Sequence, residues 1–198
     1  MVSAGGGQQY PVGVWAYYAD GSIKDYTNAD SNAIGVAVVT ANCGFVIDKI
    51  DTNSGGRIRY GGNDKDLSGI GVVQTTDVDL AKADFDGEGN TTKLINALAS
   101  YNDGYVTGAP AAEACRAAFN GSGYMGSLGE WNEAYANKTA IDSMMTKIGG
   151  TALSTSRVIW SSTLRTSTET SWNINWSDGT LGSNGRSYQA LVRAFKAL

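Results

Sequence analysis

The sequence contains no histidine, and this absence excludes several classes of chemistry at once. Without an imidazole the chain cannot build a Ser-His-Asp or Cys-His nucleophile, and zinc, copper and non-haem iron sites lose their commonest ligand. The glycine pairs at 55–56 and 61–62 fit neither a phosphate-binding loop nor a dinucleotide-binding fingerprint. A Ser-Lys or carboxylate pair would still be feasible, but the acidic residues are scattered and no spacing marks a pair. We therefore expect no enzyme activity, no catalytic residues, no metal site and no cofactor.

The sequence also lacks clusters of Lys and Arg and has no long apolar run. Fifteen basic residues face nineteen acidic ones, which gives a net charge of −4. Nucleic acids and anionic membranes require concentrated positive charge, and a membrane-spanning helix requires about 20 consecutive apolar residues. Residues 1–7 have neither the basic start nor the apolar run of a secretion signal. The sequence predicts a soluble chain with no nucleic-acid partner and no membrane insertion.

Proline and cysteine are scarce, whereas glycine is abundant. Two prolines and 26 glycines indicate many tight turns and long irregular loops. Cys43 lies in a strand-like stretch and Cys115 in a helical one. Their spacing along the sequence does not show whether they are close enough to form a disulfide. We expect two buried free thiols, with a disulfide in an oxidising compartment as the alternative.

The length of 198 residues and the 42% hydrophobic content suit a single domain, 1–198, with a compound core. In the strand-rich part, about 8–62, runs of Val, Ile and Tyr are punctuated by Asp-Gly and Gly-Gly turns. These runs predict strands at 12–18, 33–40, 44–50 and 57–60.

The middle of the chain, about 90–150, has a helical pattern. Helices are predicted at 91–101, 111–119 and 127–148. At the start of the third helix Ser127 and Glu130 have the spacing of a capping box, and 137–139 is a candidate break. Because alternation returns after Val158, the order of strands, helices and strands predicts an α+β fold.

An acidic segment precedes the first predicted helix. Asp84, Asp86, Glu88 and Asn90 alternate around Gly89, like the first half of a calcium-binding loop. The closing glutamate is absent, since Ile95 occupies that position. We therefore interpret the segment as an acidic turn in which Asn90 or Thr91 caps the helix, and calcium is the alternative.

The C-terminal region, about 160–195, places large apolar anchors between short polar stretches. Trp172, Ile174 and Trp176 are spaced two apart, so they share one face of a strand, and Asn173 and Asn175 point from the other. Tryptophans at this spacing belong to a core more often than to a sugar-stacking platform, and we assign these and Trp160 to the core.

The polar positions between the anchors mix Arg, Tyr, Thr, Ser and Asn, a composition typical of binding loops, with an ordinary solvated loop as the alternative. Arg165, Arg186 and Tyr188 are the expected hot spots, each worth about 2 kcal/mol. The predicted ligand-binding residues are Leu164, Arg165, Thr166, Thr168, Asn173, Asn175, Asp178, Leu181, Arg186 and Tyr188.

Four segments carry a resemblance to a known group: GYMGSLGEWN at 123–132, WSST at 160–163, WNINW at 172–176 and VRAF at 192–195. In this order and spacing they resemble C-type-lectin-fold proteins, in particular the variable proteins that diversity-generating retroelements rewrite in bacteria and their phages. The opening, 14–39, is similar to that of members from gut Bacteroidetes and phages.

The resemblance implies a C-type-lectin-like fold, with a twisted antiparallel sheet, flanking helices and long irregular loops. It also implies that adenine-directed mutagenesis rewrites about 164–189. Calcium-dependent sugar binding is not expected, because Ile174 follows Asn173 where those lectins have an Asp ligand, and the prolines lie only at 11 and 110. The two cysteines match no motif of the formylglycine-generating enzymes that share the fold.

The predicted function is therefore non-enzymatic ligand binding of the receptor or adhesin type, through a diversifiable C-terminal surface. The expected partner is a protein or glycan on another cell surface, and the expected location is extracellular, on a cell surface or on a phage virion. The alternative is a structural fibre, pilus-tip or virion domain with a fixed partner. The sequence does not specify an oligomeric state.

Overall fold

The computed structural model describes residues 2–3, 9–153 and 158–198. The interpretation of residues 1–7 as lacking a secretion signal falls largely outside these ranges. The strands are β1 (Val2–Ser3), β2 (Gln9–Tyr10), β3 (Gly13–Tyr17), β4 (Ile23–Lys24), β5 (Gly35–Val39), β6 (Gly44–Asp48), β7 (Ile58–Arg59), β8 (Gly123–Met125), β9 (Val158–Leu164), β10 (Thr170–Asn175), β11 (Leu181–Gly185), β12 (Gln189–Ala190) and β13 (Ala194–Ala197). The helices are α1 (Val78–Lys82), α2 (Gly87–Leu98), α3 (Pro110–Gly121), α4 (Leu128–Ala136) and α5 (Lys138–Lys147), with a short 3₁₀ turn at Thr52–Gly55.

The first half of the chain builds most of a six-stranded antiparallel sheet in the order β4-β3-β5-β6-β13-β8. The C-terminal strand β13 lies between β6 and β8, so the two ends of the chain share one sheet. Alternation along β5 and β6 sends Val36, Val38, Phe45 and Ile47 into the main core, where Phe45 stacks on Phe195 with ring centroids 4.7 Å apart.

Helices α4 and α5 cover the inner face of this sheet. Ser127 accepts a hydrogen bond from the Glu130 backbone N–H, and the Glu130 carboxylate accepts one from the Ser127 N–H, so the predicted capping box is confirmed. The predicted break is confirmed too, because α4 ends at Ala136 and α5 begins at Lys138. Trp131 and Met145 are among the buried apolar residues that these helices contribute.

A three-stranded antiparallel sheet, in the order β11-β10-β9, stands beside the main sheet. Trp160 and Leu164 of β9 belong to a second core with Tyr60 and Leu67. The tryptophans at 160, 172 and 176 are all buried, as the sequence predicts. The fold is therefore a mixed arrangement of antiparallel sheets and helices, with two main cores that each take residues from both sheets.

The predicted strands at 12–18, 33–40, 44–50 and 57–60 all exist, with ends displaced by no more than two residues. Helix α1 and strand β8 were not predicted, because both are too short to show a period. Helix α2 begins at Gly87 rather than at residue 91, and its cap is Asp86 rather than Asn90 or Thr91. Cys43 and Cys115 are buried free thiols, which confirms the preferred interpretation.

Candidate binding surface

Three of the ten predicted ligand-binding residues are buried, so the prediction of an exposed side chain is wrong for each of them. Leu164, Asn173 and Arg186 have exposed fractions of 0%, 2% and 0%. Leu164 ends β9, its backbone N–H donates to Val73 O, and its side chain joins the second core. A polar composition around a position does not reveal whether a distant segment covers it.

Asn173 is buried because both faces of β10 are covered. It lies directly opposite Trp160 across the β9–β10 pair, so the two side chains share a face. Tyr60 packs edge-on against Trp160, with ring centroids 5.4 Å apart. The alternation predicted along β10 places Trp172 and Ile174 in cores, but the second core closes the opposite face as well.

Arg186 is a buried cation that fastens two loops together. Its Nη2 donates to Lys65 O at 2.8 Å and to Ser167 O at 3.0 Å. Its Nε and Nη1 have no hydrogen-bond partner within the described part of the chain. Burial lowers the pKa of the guanidinium. Arg186 therefore supports the surface from below and is not available as a contact residue.

The seven other predicted residues separate to the two ends of the three-stranded sheet. Strand β10 runs antiparallel to β11, with Thr170 opposite Gly185 at one end and Ile174 opposite Leu181 at the other. Because a strand rises about 3.3 Å per residue, the ends lie roughly 15 Å apart. The first end carries Arg165, Thr166, Thr168 and Tyr188; the second carries Asn175, Asp178 and Leu181.

At the first end, four segments distant in sequence form one surface, which we call the loop rim: residues 59–66, 101–107, 165–169 and 186–188. Asp64 N donates to Thr168 O at 3.0 Å, and Arg186 N donates to Glu169 O at 2.8 Å. The Arg59 guanidinium donates to Ser187 O at 3.0 Å. These contacts hold the loops against one another independently of any ligand.

The loop rim exposes two tyrosines, with exposed fractions of 59% for Tyr105 and 42% for Tyr188. The Arg59 guanidinium lies 5.2 Å from the centroid of the Tyr105 ring, and Lys65 Nζ lies 5.4 Å from that of Tyr101. Tyr188 meets Trp160 edge-on, with centroids 6.4 Å apart. The rim thus combines partly fixed aromatic rings with cations.

Asp103 adds a fixed negative charge to the loop rim. Burial opposes its ionisation, but hydrogen bonds from the backbone N–H groups of Val106, Tyr105 and Asn63 outweigh burial and lower its pKa. Sequence reasoning missed Arg59, Asp103 and Tyr105. The sequence signal for them was weak. Asn102-Asp103-Gly104 is a turn sequence, and Tyr105, which follows it, belongs to no periodic pattern of apolar residues.

The second end is a tight turn, which we call the sheet-end turn: residues 175–181. Asn175 Oδ1 accepts from Ser177 N at 3.1 Å, and Asp178 Oδ1 accepts from Thr180 N at 2.9 Å. The bond from Thr180 lowers the pKa of the Asp178 carboxyl, which is fully exposed. Asn175 and Leu181 are half-buried. This end is held mainly by its own residues.

The acidic segment forms a buried network that anchors β9. Asp84 Oδ2 accepts from Asn90 Nδ2 at 2.8 Å and from Thr163 Oγ1 at 2.7 Å. Ser127 Oγ donates to Asp84 O at 2.7 Å. Among the described residues there is no cluster of three or more His, Cys, Asp or Glu placed to hold a metal ion. The network explains why Asp84 is buried.

Glu130 is the most strongly perturbed carboxyl group of this network. Burial raises its pKa to about 7, although hydrogen bonds from Ser127 N, Tyr124 OH and Ser127 Oγ favour the ionised form. Its side chain is 4% exposed and faces the core rather than the loop rim. The shifted pKa therefore links the stability of the folded chain to pH.

Three cavities lie beside the six-stranded sheet, against residues of β3, β4 or β6. One of about 540 Å³ is lined by Trp15, Ile23 and Lys24, and two of about 310 and 370 Å³ flank Phe119. Each helix among the described residues is too short or too polar to cross a bilayer.

Comparisons with known proteins identify a related fold. No protein-family model matches this chain, and no curated protein matches it either. Among solved structures, the chain is similar to a fimbrial protein from Bacteroides ovatus, with a TM-score of 0.67 and 17% sequence identity. The match covers 96% of this chain and 49% of the fimbrial protein, so the chain spans about half the length of that structure. At this identity the likeness shows a shared fold.

Proposed function

We propose that this protein is a non-enzymatic binding domain of adhesin type, displayed outside the cell, and that its loop rim binds a protein or glycan on another cell surface. The observation that carries the proposal is the convergence of four separate segments into one braced surface that exposes Tyr105 and Tyr188. Surfaces of this kind lose little conformational entropy on binding, because their loops are already held in place.

The chemistry of the loop rim suits recognition better than turnover. Tyr and Arg are the side chains that most often dominate interface energetics, and Arg59 and Tyr105 are paired there. The rim also carries the acid groups of Asp64, Asp66 and Asp103. The rim therefore offers stacking faces, hydrogen-bond groups and charges of both signs.

The fold likeness supports an extracellular setting. The similar solved structure is a fimbrial protein, and we propose the same kind of surface location for this chain. We further propose that the fold is C-type-lectin-like and that the chain is a variable protein of a diversity-generating retroelement. Both proposals depend on the motifs at 123–132, 160–163, 172–176 and 192–195.

Binding to a glycan array and to a panel of intact bacterial and epithelial cells tests the proposed surface. Tyr105→Ala and Tyr188→Ala, separately and together, should reduce any binding at least tenfold. Tyr26→Ala is the matched control, because Tyr26 is also exposed (54%) and also lies against a cation, Lys147, at 5.7 Å. Equal binding by the double variant and the control would refute the loop rim as the site.

The encoding DNA tests the proposed diversification. A near-copy of the codons for 160–195 should lie beside the gene and differ mainly where the copy has adenine. Substitutions should be tolerated best at Tyr188, which is exposed, and next at Arg165 and Thr168, which are half-buried. Absence of the copy would favour the alternative, which is a structural fibre, pilus-tip or virion domain with a fixed partner. The fold likeness to a fimbrial protein is also compatible with this alternative.

A further inference from the structure

The cavity at the β4 edge of the six-stranded sheet is remote from the loop rim. Its volume of about 540 Å³ falls within the range of about 300–1,000 Å³ that is usual for small-molecule sites. The three-stranded sheet, which carries the loop rim, joins the opposite edge, where Ser162 N donates to Gly126 O directly after β8. Five strand spacings of about 4.8 Å put the two edges roughly 24 Å apart. The residues that line the cavity are Trp15, Ile23, Lys24, Asp25 and Asn28.

Trp15 forms an aromatic wall of this cavity, and its strand fixes the ring. Because Ala16 faces the main core, Trp15 and Tyr17 point from the opposite face of β3. Trp15 Nε1 donates to Pro11 O at 3.0 Å. Gly13 has a φ of +147°, and a Cβ there would lie 3.1 Å from Trp15 Nε1, so the missing side chain lets the indole lie close to the backbone. A ring that is already held loses little conformational entropy when a ligand stacks on it.

Two hydrogen-bond acceptors lie next to the ring. The register of β3 with β4 pairs Ala16 with Lys24, so its next step places Asp25 beside Trp15. Asp25 Oδ1 accepts from Asn28 N at 2.9 Å and from Asn28 Nδ2 at 3.0 Å, which fixes the two side chains against each other. Within the described chain, the remaining oxygens, Asp25 Oδ2 and Asn28 Oδ1, have no hydrogen-bond partner, and both residues are exposed. The cavity therefore offers a pair of acceptors to a ligand.

The charges around the cavity disfavour an acidic ligand. Lys24 Nζ forms an ion pair with Asp30 Oδ2 at 3.0 Å and lies 4.4 Å from the centroid of the Tyr18 ring. Its positive charge is therefore already engaged, whereas Asp25 has no cationic partner among the described residues. A carboxylate accepts hydrogen bonds and repels anions, so a ligand that meets Asp25 must supply neutral donors such as hydroxyl groups. A cationic ligand would gain little, because an exposed ion pair is weak in water.

We propose that this cavity is a second binding site, separate from the loop rim, and that it takes one neutral pyranose ring of a glycan. The apolar C–H face of the sugar stacks on Trp15, and two adjacent hydroxyls donate to Asp25 Oδ2 and Asn28 Oδ1. An aromatic wall with a few convergent polar groups is the usual construction of a small-molecule site. The site does not rest on the function proposed for the loop rim.

Saturation-transfer difference NMR of the purified chain tests this site, with the methyl glycosides of glucose, galactose, mannose and N-acetylglucosamine as probes. At least one neutral glycoside should give ring-proton signals, and methyl glucuronide should give signals at least fivefold weaker. Trp15→Ala should abolish the signals, whereas Trp15→Phe, which keeps an aromatic face, should retain part of them.

Asp25→Asn tests the acceptor pair with little change of shape. The amide oxygen can still accept from Asn28 N, but the NH₂ group cannot accept from a sugar hydroxyl, so binding should weaken at least fivefold. Asp20→Asn is the matched control and should leave binding unchanged. Asp20 Oδ1 also accepts a turn N–H, that of Ser22 at 2.9 Å, and Asp20 does not line the cavity.

Circular dichroism and thermal unfolding establish that each variant is folded. The proposal is overturned if no neutral glycoside gives a signal, or if Trp15→Ala and Asp25→Asn leave the signal unchanged. Stronger binding of methyl glucuronide or of lysine methyl ester than of every neutral glycoside would also overturn it, because the site would then select a charged ligand. The double variant of Tyr105 and Tyr188 should keep the glycoside signals, so the cavity and the loop rim can fail separately.

Discussion

The two ends of the three-stranded sheet are built in different ways. At the loop rim, Arg186 reaches Lys65 O, 121 residues away in sequence, and four loops depend on one another. At the sheet-end turn, the side-chain hydrogen bonds of Asn175 and Asp178 reach at most three residues along the chain. The rim is therefore a tertiary product, whereas the turn is a local one. Buried support and local turn chemistry are thus two ways in which the same sheet fixes the shape of an exposed surface.

Replacing the buried support should have the largest effect. Arg186→Ala removes two hydrogen bonds to carbonyls and leaves a cavity, so we expect a loss of about 4 kcal/mol in the free energy of unfolding. Urea denaturation of the variant and of the unmodified protein measures this loss. Arg186 was predicted as a binding hot spot, and its burial makes it a structural residue instead. Arg186→Met, which fills much of the space without a charge, is the control and should lose less.

Glu130 belongs to the buried network that anchors β9, a strand of the sheet that carries both ends. Its titration therefore tests the support that the two ends share. Its pKa of about 7 in the folded protein lies above the ordinary value of 4.5, so the folded state holds the proton more tightly than the unfolded chain does. The contribution of Glu130 to stability should be greatest below about pH 4.5, fall as the pH rises to 7 and remain lower above it. The difference amounts to roughly 3 kcal/mol.

Glu130→Gln should remove this part of the pH dependence. Denaturation of both proteins between pH 4.5 and 8 measures it, and the comparison cancels other groups, such as Asp48, whose pKa burial also raises. Parallel pH profiles for the two proteins would show that Glu130 does not titrate as expected.

The sheet-end turn should be sensitive to the backbone conformation of Gly179 and to its close approach to Tyr135. Gly179 has a φ of +75°, and a Cβ there would lie 2.3 Å from the Tyr135 ring. Gly179→Ala should therefore destabilise the protein by about 2 kcal/mol. Gly104→Ala, at a similar positive φ but with open space around it, is the control for the steric part. Equal losses of stability for the two variants in thermal unfolding would mean that the Tyr135 ring moves aside at no energetic cost.

Exposed side chains at both ends should contribute least to stability. We expect Tyr188→Ala and Asp178→Ala each to change the free energy of unfolding by about 0.5 kcal/mol or less. Tyr188→Ala should nevertheless cost about 2 kcal/mol in binding if it lies at the centre of the contact. Calorimetry of unfolding, together with the binding assay on cells and glycans, separates the two quantities. A large loss of stability at Tyr188 would place it with Arg186 as a structural residue.

The sequence by itself determined the elements that depend on near neighbours. Strands β5 and β6, the capping box of Ser127 and Glu130, the helix break at Asn137 and the buried tryptophans all follow from spacing over a few residues. These signals are local because side-chain period and cap chemistry act over one or two turns. Short elements such as α1 and β8 escaped, since five or three residues show no period.

Only the tertiary structure decided which polar residues are exposed. Alternation indicated that one face of β10 is buried, but Asn173 on the other face is buried too. Tyr60 covers that face, because its ring packs against Trp160 and its hydroxyl donates to Ser162 O, 102 residues further along the chain. The sequence around Arg186 is polar and rich in turn residues, yet its side chain is buried, where it donates to Lys65 O and Ser167 O. Arg59 and Tyr105 joined the candidate surface for the same reason. Burial of a side chain depends on what covers it, and the covering segment can lie anywhere along the chain.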